Sequence, residues 1–134
     1  MIAIDTSLAV AALAGWHSAH EPSRRAATGA AIPAHARLET YSVLTRLPPP
    51  HRIASDVAAG LLASWFPNAE ILVPSSRLSR SMVERCHDVG VQGGAVYDAL
   101  VALTASEAKR TLLTRDERAA ATYRRLGIAF TLLD

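Results

Sequence analysis

At 134 residues, half of them hydrophobic, 19% charged and 5% aromatic, the chain has the size and aliphatic content of one packed domain, which excludes a disordered protein. A net charge of +2 is too small to mark a nucleic-acid binder by itself; thirteen of the fourteen basic residues are Arg, a usage that suits phosphate or carboxylate partners and equally a high-GC codon bias. One cysteine, Cys86, excludes an internal disulfide, no apolar run reaches the roughly 20 residues needed to span a bilayer, and no basic residue precedes Arg24 as a signal peptide requires, so a cytoplasmic protein is expected.

Met1-Ile2-Ala3-Ile4-Asp5 reads as a short buried strand over Ile2–Asp5 that ends in a carboxylate, with Thr6 or Ser7 placed to start a helix. The spacing of Leu8, Ala11, Ala12 and Gly15 predicts a helix over Thr6–Gly15. A polar turn over Trp16–Glu21 follows, and Pro22 suits the first turn of a helix running to about Gly29. Ala31-Ile32-Pro33 is extended and leads into a helix over Ala34–Leu47, which Pro48-Pro49-Pro50 must end. Ile53, Val57, Leu61 and Trp65 predict a helix over Arg52–Phe66, and Glu70–Val73 is a strand candidate. Ser75 or Ser76 caps a helix through His87, and Ala95–Ser106 is helical after the Gly93-Gly94 loop. Thr111–Thr114 is a strand, Asp116 caps a helix over Glu117–Arg125, Gly127 stops it, and Ile128–Leu133 is the last strand. Short apolar strands alternating with helices imply βα units around a parallel sheet, in one α/β/α domain.

In that frame four acids fall where they can meet. Asp5 ends the first strand and Asp116 lies two residues past Thr111–Thr114, so both emerge at the carboxyl edge of the sheet. Asp98 and Glu39 sit near the starts of their helices, which begin at that same edge and favour negative charge there. Carboxylates gathered without a basic partner repel one another unless a cation stands between them. Oxygen-only ligands select a hard ion, Mg²⁺ or Mn²⁺. Such an ion activates water for in-line attack on a phosphodiester without a catalytic His or Cys.

Ile4-Asp5-Thr6-Ser7, Leu38-Glu39, Val96-Tyr97-Asp98-Ala99-Leu100 and Leu112-Leu113-Thr114-Arg115-Asp116 together resemble the PIN-domain pattern, and the chain as a whole resembles the VapC toxins of bacterial type II toxin–antitoxin pairs. The resemblance covers essentially the whole chain and implies a single PIN domain over 1–134. It implies a five-stranded parallel sheet of order 3-2-1-4-5, a Mg²⁺- or Mn²⁺-dependent endoribonuclease acting on tRNA or a ribosomal RNA loop, and a homodimer. It assigns Asp5, Glu39, Asp98 and Asp116 to the acidic site, with Asp5 and Asp98 as the foremost ligands and Thr6, Ser7 and Thr114 supporting them. Where many relatives carry a fifth acid this chain has Ala119, with the adjacent Glu117 as the candidate substitute and a further supporting residue, and the missing acid favours one well-held ion. The resemblance also implies a VapB-like antitoxin that lies across the helices Ala34–Leu47 and Arg52–Phe66, with Trp65 and Phe66 as anchors, and that alone connects the toxin to DNA. Arg46, Arg115 and Arg118 are the candidate phosphate contacts.

Other readings fit less well. A phosphatase of the HAD type needs a second Asp where Ser7 stands, and a receiver domain needs a Lys after a late strand, whereas Lys109 precedes its strand. A catalytically inactive PIN-like binding module would not be expected to keep all four acids. His17 with His20, and Cys86 with His87, lack partners at zinc-site spacing.

Overall fold

The computed structural model describes all of Met1–Asp134. In chain order the elements are β1 (Ile2–Ile4), α1 (Thr6–Leu13), α2 (His20–Ala27), β2 (Ile32–Pro33), α3 (Ala34–Arg46), α4 (Ser55–Trp65), β3 (Ile71–Leu72), α5 (Ser76–Asp88), α6 (Ala95–Glu107), β4 (Thr111–Thr114), α7 (Glu117–Leu126) and β5 (Phe130–Leu132). Every strand and helix expected from the sequence is present, and the differences lie at the ends. The largest is α4, which starts at Ser55 rather than Arg52. Residues 52 and 53 instead close the end of α3: Arg52 Nε donates to the Leu47 carbonyl at 2.8 Å and the Ile53 amide to the Leu44 carbonyl at 3.0 Å. These carbonyls are among those a helix C-terminus leaves unpaired.

All strand pairs are parallel. β1 pairs with β4 (Ile2 opposite Thr111, Ile4 opposite Leu113) and β4 with β5 (Leu112 opposite Phe130). β2 pairs separately with β3 (Ile32 opposite Ile71). The expected five strands in the order 3-2-1-4-5 are therefore divided into a three-stranded and a two-stranded sheet. A single bridge joins them, Ala3 opposite Ala31, with the Ile4 amide donating to the Ala31 carbonyl at 3.0 Å and the Ala31 amide to Ile2 at 3.1 Å. The seam is this narrow because Pro33 ends β2 after two residues, has no N–H to extend the ladder, and passes directly into α3.

One core of 23 buried residues runs through the molecule, with Ile4, Leu8, Ile32, Leu44, Leu62, Phe66, Leu112 and Tyr123 among its larger members. Twelve of the 23 are Ala, and side chains this small let helices pack close to one another and to the sheet. α1 and α6 both pack on β4, α3 packs on α1 and α6, and α7 packs on α6 and β4. The N-terminal turns of α1 and α7 are thereby held over the ends of β1 and β4. No helix is long and apolar enough to cross a membrane.

Candidate active site

Asp5 follows β1 and caps α1. Its amide donates to the Leu113 carbonyl at 3.1 Å, tying it to β4, and its Oδ1 accepts from the Leu8 amide at 3.1 Å. The Ser7 hydroxyl donates to Oδ1 at 2.7 Å and the Tyr123 hydroxyl to Oδ2 at 2.8 Å. Asp5 is only 4% exposed, and burial pushes its carboxyl above the usual range while the donors around it oppose the rise. Tyr123 is pushed up too, first by burial and then by Asp5, so its hydroxyl stays protonated and remains a donor.

The other acids reach the same place from separate helices. Asp116 follows β4 and caps α7, with Oδ1 accepting from the Arg118 amide at 2.9 Å and the Ala119 amide at 3.4 Å. Glu39, one turn into α3, accepts from the Thr6 hydroxyl at 2.7 Å and lies 3.9 Å from His35 Nε2. Asp98 sits in the first turn of α6. All four line one cleft of about 520 Å³ with Thr6, Ser7, Val10, His17, Val43, Val101, Arg115, Ala119 and Tyr123.

The electrostatics of this cleft are one-sided. Asp98 is pushed up to about 6, first by burial and then by the charges of Asp116, Glu39 and Asp5. Arg110 pairs with Glu70 and the His35 ring lies 3.9 Å from Glu39, whereas Asp5, Asp98 and Asp116 have no basic partner. No three His, Cys, Asp or Glu side chains are drawn together as a ready-made metal cage. Four carboxylates that share one cleft without closing on one another fit a hard divalent ion that keeps several of its waters, as Mg²⁺ does, and do not suit an ion that demands a closed protein cage. Nitrogen and sulfur ligands are not assembled: His17 Nδ1 accepts from the Ala19 amide and His20 Nδ1 faces the Ala11 carbonyl, both at 3.0 Å. Burial and Arg115 lower the pKa of His17, which keeps its ring neutral.

The supporting residues divide. Thr6 and Ser7 hold Glu39 and Asp5 as described, and the Ser7 oxygen also accepts from the Arg115 amide at 2.9 Å. Thr114 is fully buried, lies 3.3 Å from Ser7 Oγ and accepts from the Asp116 amide at 3.1 Å, so it links the two capping aspartates. Glu117 is exposed and does not line the cleft, and the fifth position is filled by the Ala119 methyl. Of the candidate phosphate contacts only Arg115 lines the cleft. Arg46 reaches back along α3 to the Ser42 hydroxyl at 2.6 Å, and Arg118 is an exposed residue on α7 that offers Asp116 only its amide. Phe66 is 2% exposed and belongs to the core, which removes it as an anchor for a partner; Trp65 is half-buried against that core.

Sequence reasoning missed Tyr123 and His17. Tyr123 does carry a signal, because it lies seven residues after Asp116 and four after Ala119, on the helix face that meets the cleft. An aromatic residue on an apolar stripe reads as core, and Tyr123 is core as well. His17 follows α1 in an irregular turn and has no periodic signal.

A PIN-domain family model matches residues 2–125. Ribonuclease VapC40 of Mycobacterium tuberculosis is 47% identical over 134 residues, covering 99% of both chains. Ribonuclease VapC27 of the same species is 45% identical over 129 residues, covering 95% of this chain and 93% of that protein. Among solved structures, FitAcB from Neisseria gonorrhoeae superposes with a TM-score of 0.71 over 97% of this chain and 96% of that one, at 16% identity, a likeness of fold.

Proposed function

The chain belongs to the PIN-domain ribonucleases of the VapC type, and from that premise we propose that it is a Mg²⁺- or Mn²⁺-dependent endoribonuclease whose site is the cleft of Asp5, Glu39, Asp98 and Asp116. The observation that supports this most is the gathering of Asp5, Glu39, Asp98 and Asp116 in one cleft, where Asp98 is pushed up to about 6 first by burial and then by the charges of the other three. Asp5 and Asp98 would hold the ion most directly. Asp5 is fixed by three donors, whereas burial and charge alone set Asp98, which leaves its oxygens open. Glu39 and Asp116 would complete the set, Glu39 oriented by one hydrogen bond and Asp116 by two, each through one oxygen.

A divalent ion held there supplies the positive charge that a phosphodiester and an attacking water can share. Thr6, Ser7 and Tyr123 keep the carboxylates in place, so little reorganisation is needed when substrate arrives. Arg115, a basic residue of the cleft wall, would meet an RNA phosphate, and Val10, Val43 and Val101 line the cleft with apolar surface.

VapC toxins are paired with VapB antitoxins, and we assign this chain a partner of that kind. It would lie on α3 and α4, where Leu38 and Val57 are 68% and 52% exposed, with Trp65 at the edge of the surface. A homodimer, a single catalytic domain over 1–134 and a tRNA or ribosomal RNA loop as substrate complete the proposal. The test is cleavage of total RNA with Mg²⁺ or Mn²⁺. The native chain cuts, while EDTA or Asp5→Asn abolishes cutting. Cleavage that survives both would overturn the assignment.

A further inference from the structure

Of the seven Phe, Trp and Tyr residues only Trp16 and Tyr97 are exposed, by 44% and 54%, and each is the immediate chain neighbour of a residue that lines the acidic cleft, His17 and Asp98. Histidine rings accompany both. The Trp16 ring lies 4.5 Å from His51 and 5.6 Å from His17. Tyr97 stacks on His35 with centroids 5.3 Å apart and planes within 5°, and His35 in turn is 3.9 Å from Glu39.

α3 sets the distance between the two clusters. His35, Glu39 and Val43 form one stripe along it, the last two lining the cleft, and His51 follows its end. At about 1.5 Å per residue the run from His35 to Leu47 spans roughly 18 Å. Neither ring lines the cleft itself: Tyr97 lies beside it next to Asp98 and His35 and also borders the neighbouring apolar pocket of Met82, Cys86, Val96 and Leu100, while Trp16 lies beside it next to His17 and His51. Arg115 lines the cleft together with His17, the chain neighbour of Trp16, so that side carries a positive charge for a phosphate backbone.

Building on the nuclease reading, we propose that Trp16 and Tyr97 are base-stacking platforms that seat unpaired bases of the RNA strand on either side of the phosphodiester at the acids. Proteins read single-stranded RNA by stacking splayed bases on aromatic rings. Here each ring is already steadied by a histidine, so it loses little freedom when a base covers its open face. The platforms pull the strand across the cleft, and they favour unpaired loops over duplex, whose bases are stacked on one another.

The test compares a short oligoadenylate with an abasic ribose-phosphate oligomer of the same length and charge. Binding is measured in an Asp5→Asn background so that hydrolysis does not intrude, and with Trp65→Phe so that Trp16 is the sole tryptophan. Oligoadenylate is expected to quench Trp16 fluorescence and to bind about tenfold more tightly than the abasic oligomer, since stacking on an aromatic ring contributes on this order per base. That ratio should fall several-fold in Trp16→Leu and in Tyr97→Leu, and return in Trp16→Phe and Tyr97→Phe. Equal binding of the two oligomers, or a ratio unchanged in both Leu variants, overturns the proposal. So does a change confined to self-association in sedimentation, which would assign the rings to a protein interface. The ratio is decided by binding, so a chain that fails to cut RNA refutes the nuclease reading separately, and a chain that cuts without the ratio refutes the platforms alone.

Discussion

Replacing Asp98 by Asn removes one of the mutually repelling charges while keeping the side-chain shape. A carboxyl displaced from 3.8 to about 6 corresponds to about 3 kcal/mol if the whole shift were expressed as folding free energy, at 1.36 kcal/mol per pKa unit. Asp98 is half-exposed, so solvent screening reduces this to roughly 1–1.5 kcal/mol. The sign follows from the raised value. Well below 3.8 the group is neutral folded or unfolded and costs nothing; the penalty sets in as pH passes 3.8, grows toward 6 and is complete above it. Asp98→Asn in EDTA should therefore unfold about 3–6 °C higher than the native chain near pH 8, by the usual scaling for a domain of this size, and show no gain near pH 3. Circular dichroism melting curves at both pH values measure this. Adding Mg²⁺ near pH 8 should stabilise the native chain and leave the variant unaffected. A variant that is destabilised, or equally stabilised at both pH values, would refute the reasoning.

Tyr123→Phe keeps the buried ring but removes the donor to Asp5 Oδ2; urea unfolding at neutral pH should show a loss of about 1–3 kcal/mol, smaller in acid where Asp5 is neutral, and RNA cleavage should fall with it. Asp116→Asn retains the α7 cap and Asp116→Ala does not, so both should lose cleavage while only the Ala variant loses about 1 kcal/mol of stability in the same assay. Gly127 closes α7 at φ 69°, and the space that a Cβ would occupy there is open, so Gly127→Ala should cost about 1 kcal/mol through backbone strain alone and leave the cleavage rate unchanged.

Much of the cleft could be read from residue order because its geometry is local. An aspartate directly after a buried strand and before a helix, as at Asp5 and Asp116, is both the cap of the helix and a side chain at the carboxyl edge of the sheet. Asp98 and Glu39 sit in or near the first turns of helices and are governed by the same rule. What escaped depends on contacts between distant segments. Arg52 and Ile53 look like the first turn of a helix by periodicity, yet they satisfy carbonyls of the preceding one. Tyr123 reaches Asp5 across 118 positions. The apolar stripe that ends in Trp65 and Phe66 suggests a docking surface, whereas the fold spends Phe66 on its own core. The narrow join between β1 and β2 follows from Pro33, whose missing N–H matters only once its neighbour is known.

Carboxylates held apart from any basic partner should be joined by a divalent ion. Titration of Mn²⁺ into the native chain and into folded Asp5→Asn and Asp98→Asn, followed by electron paramagnetic resonance near pH 8, tests this most directly. Binding by the native chain that is lost or much weakened in both variants is the predicted result; binding that both variants retain in full, or none in the native chain, would contradict it.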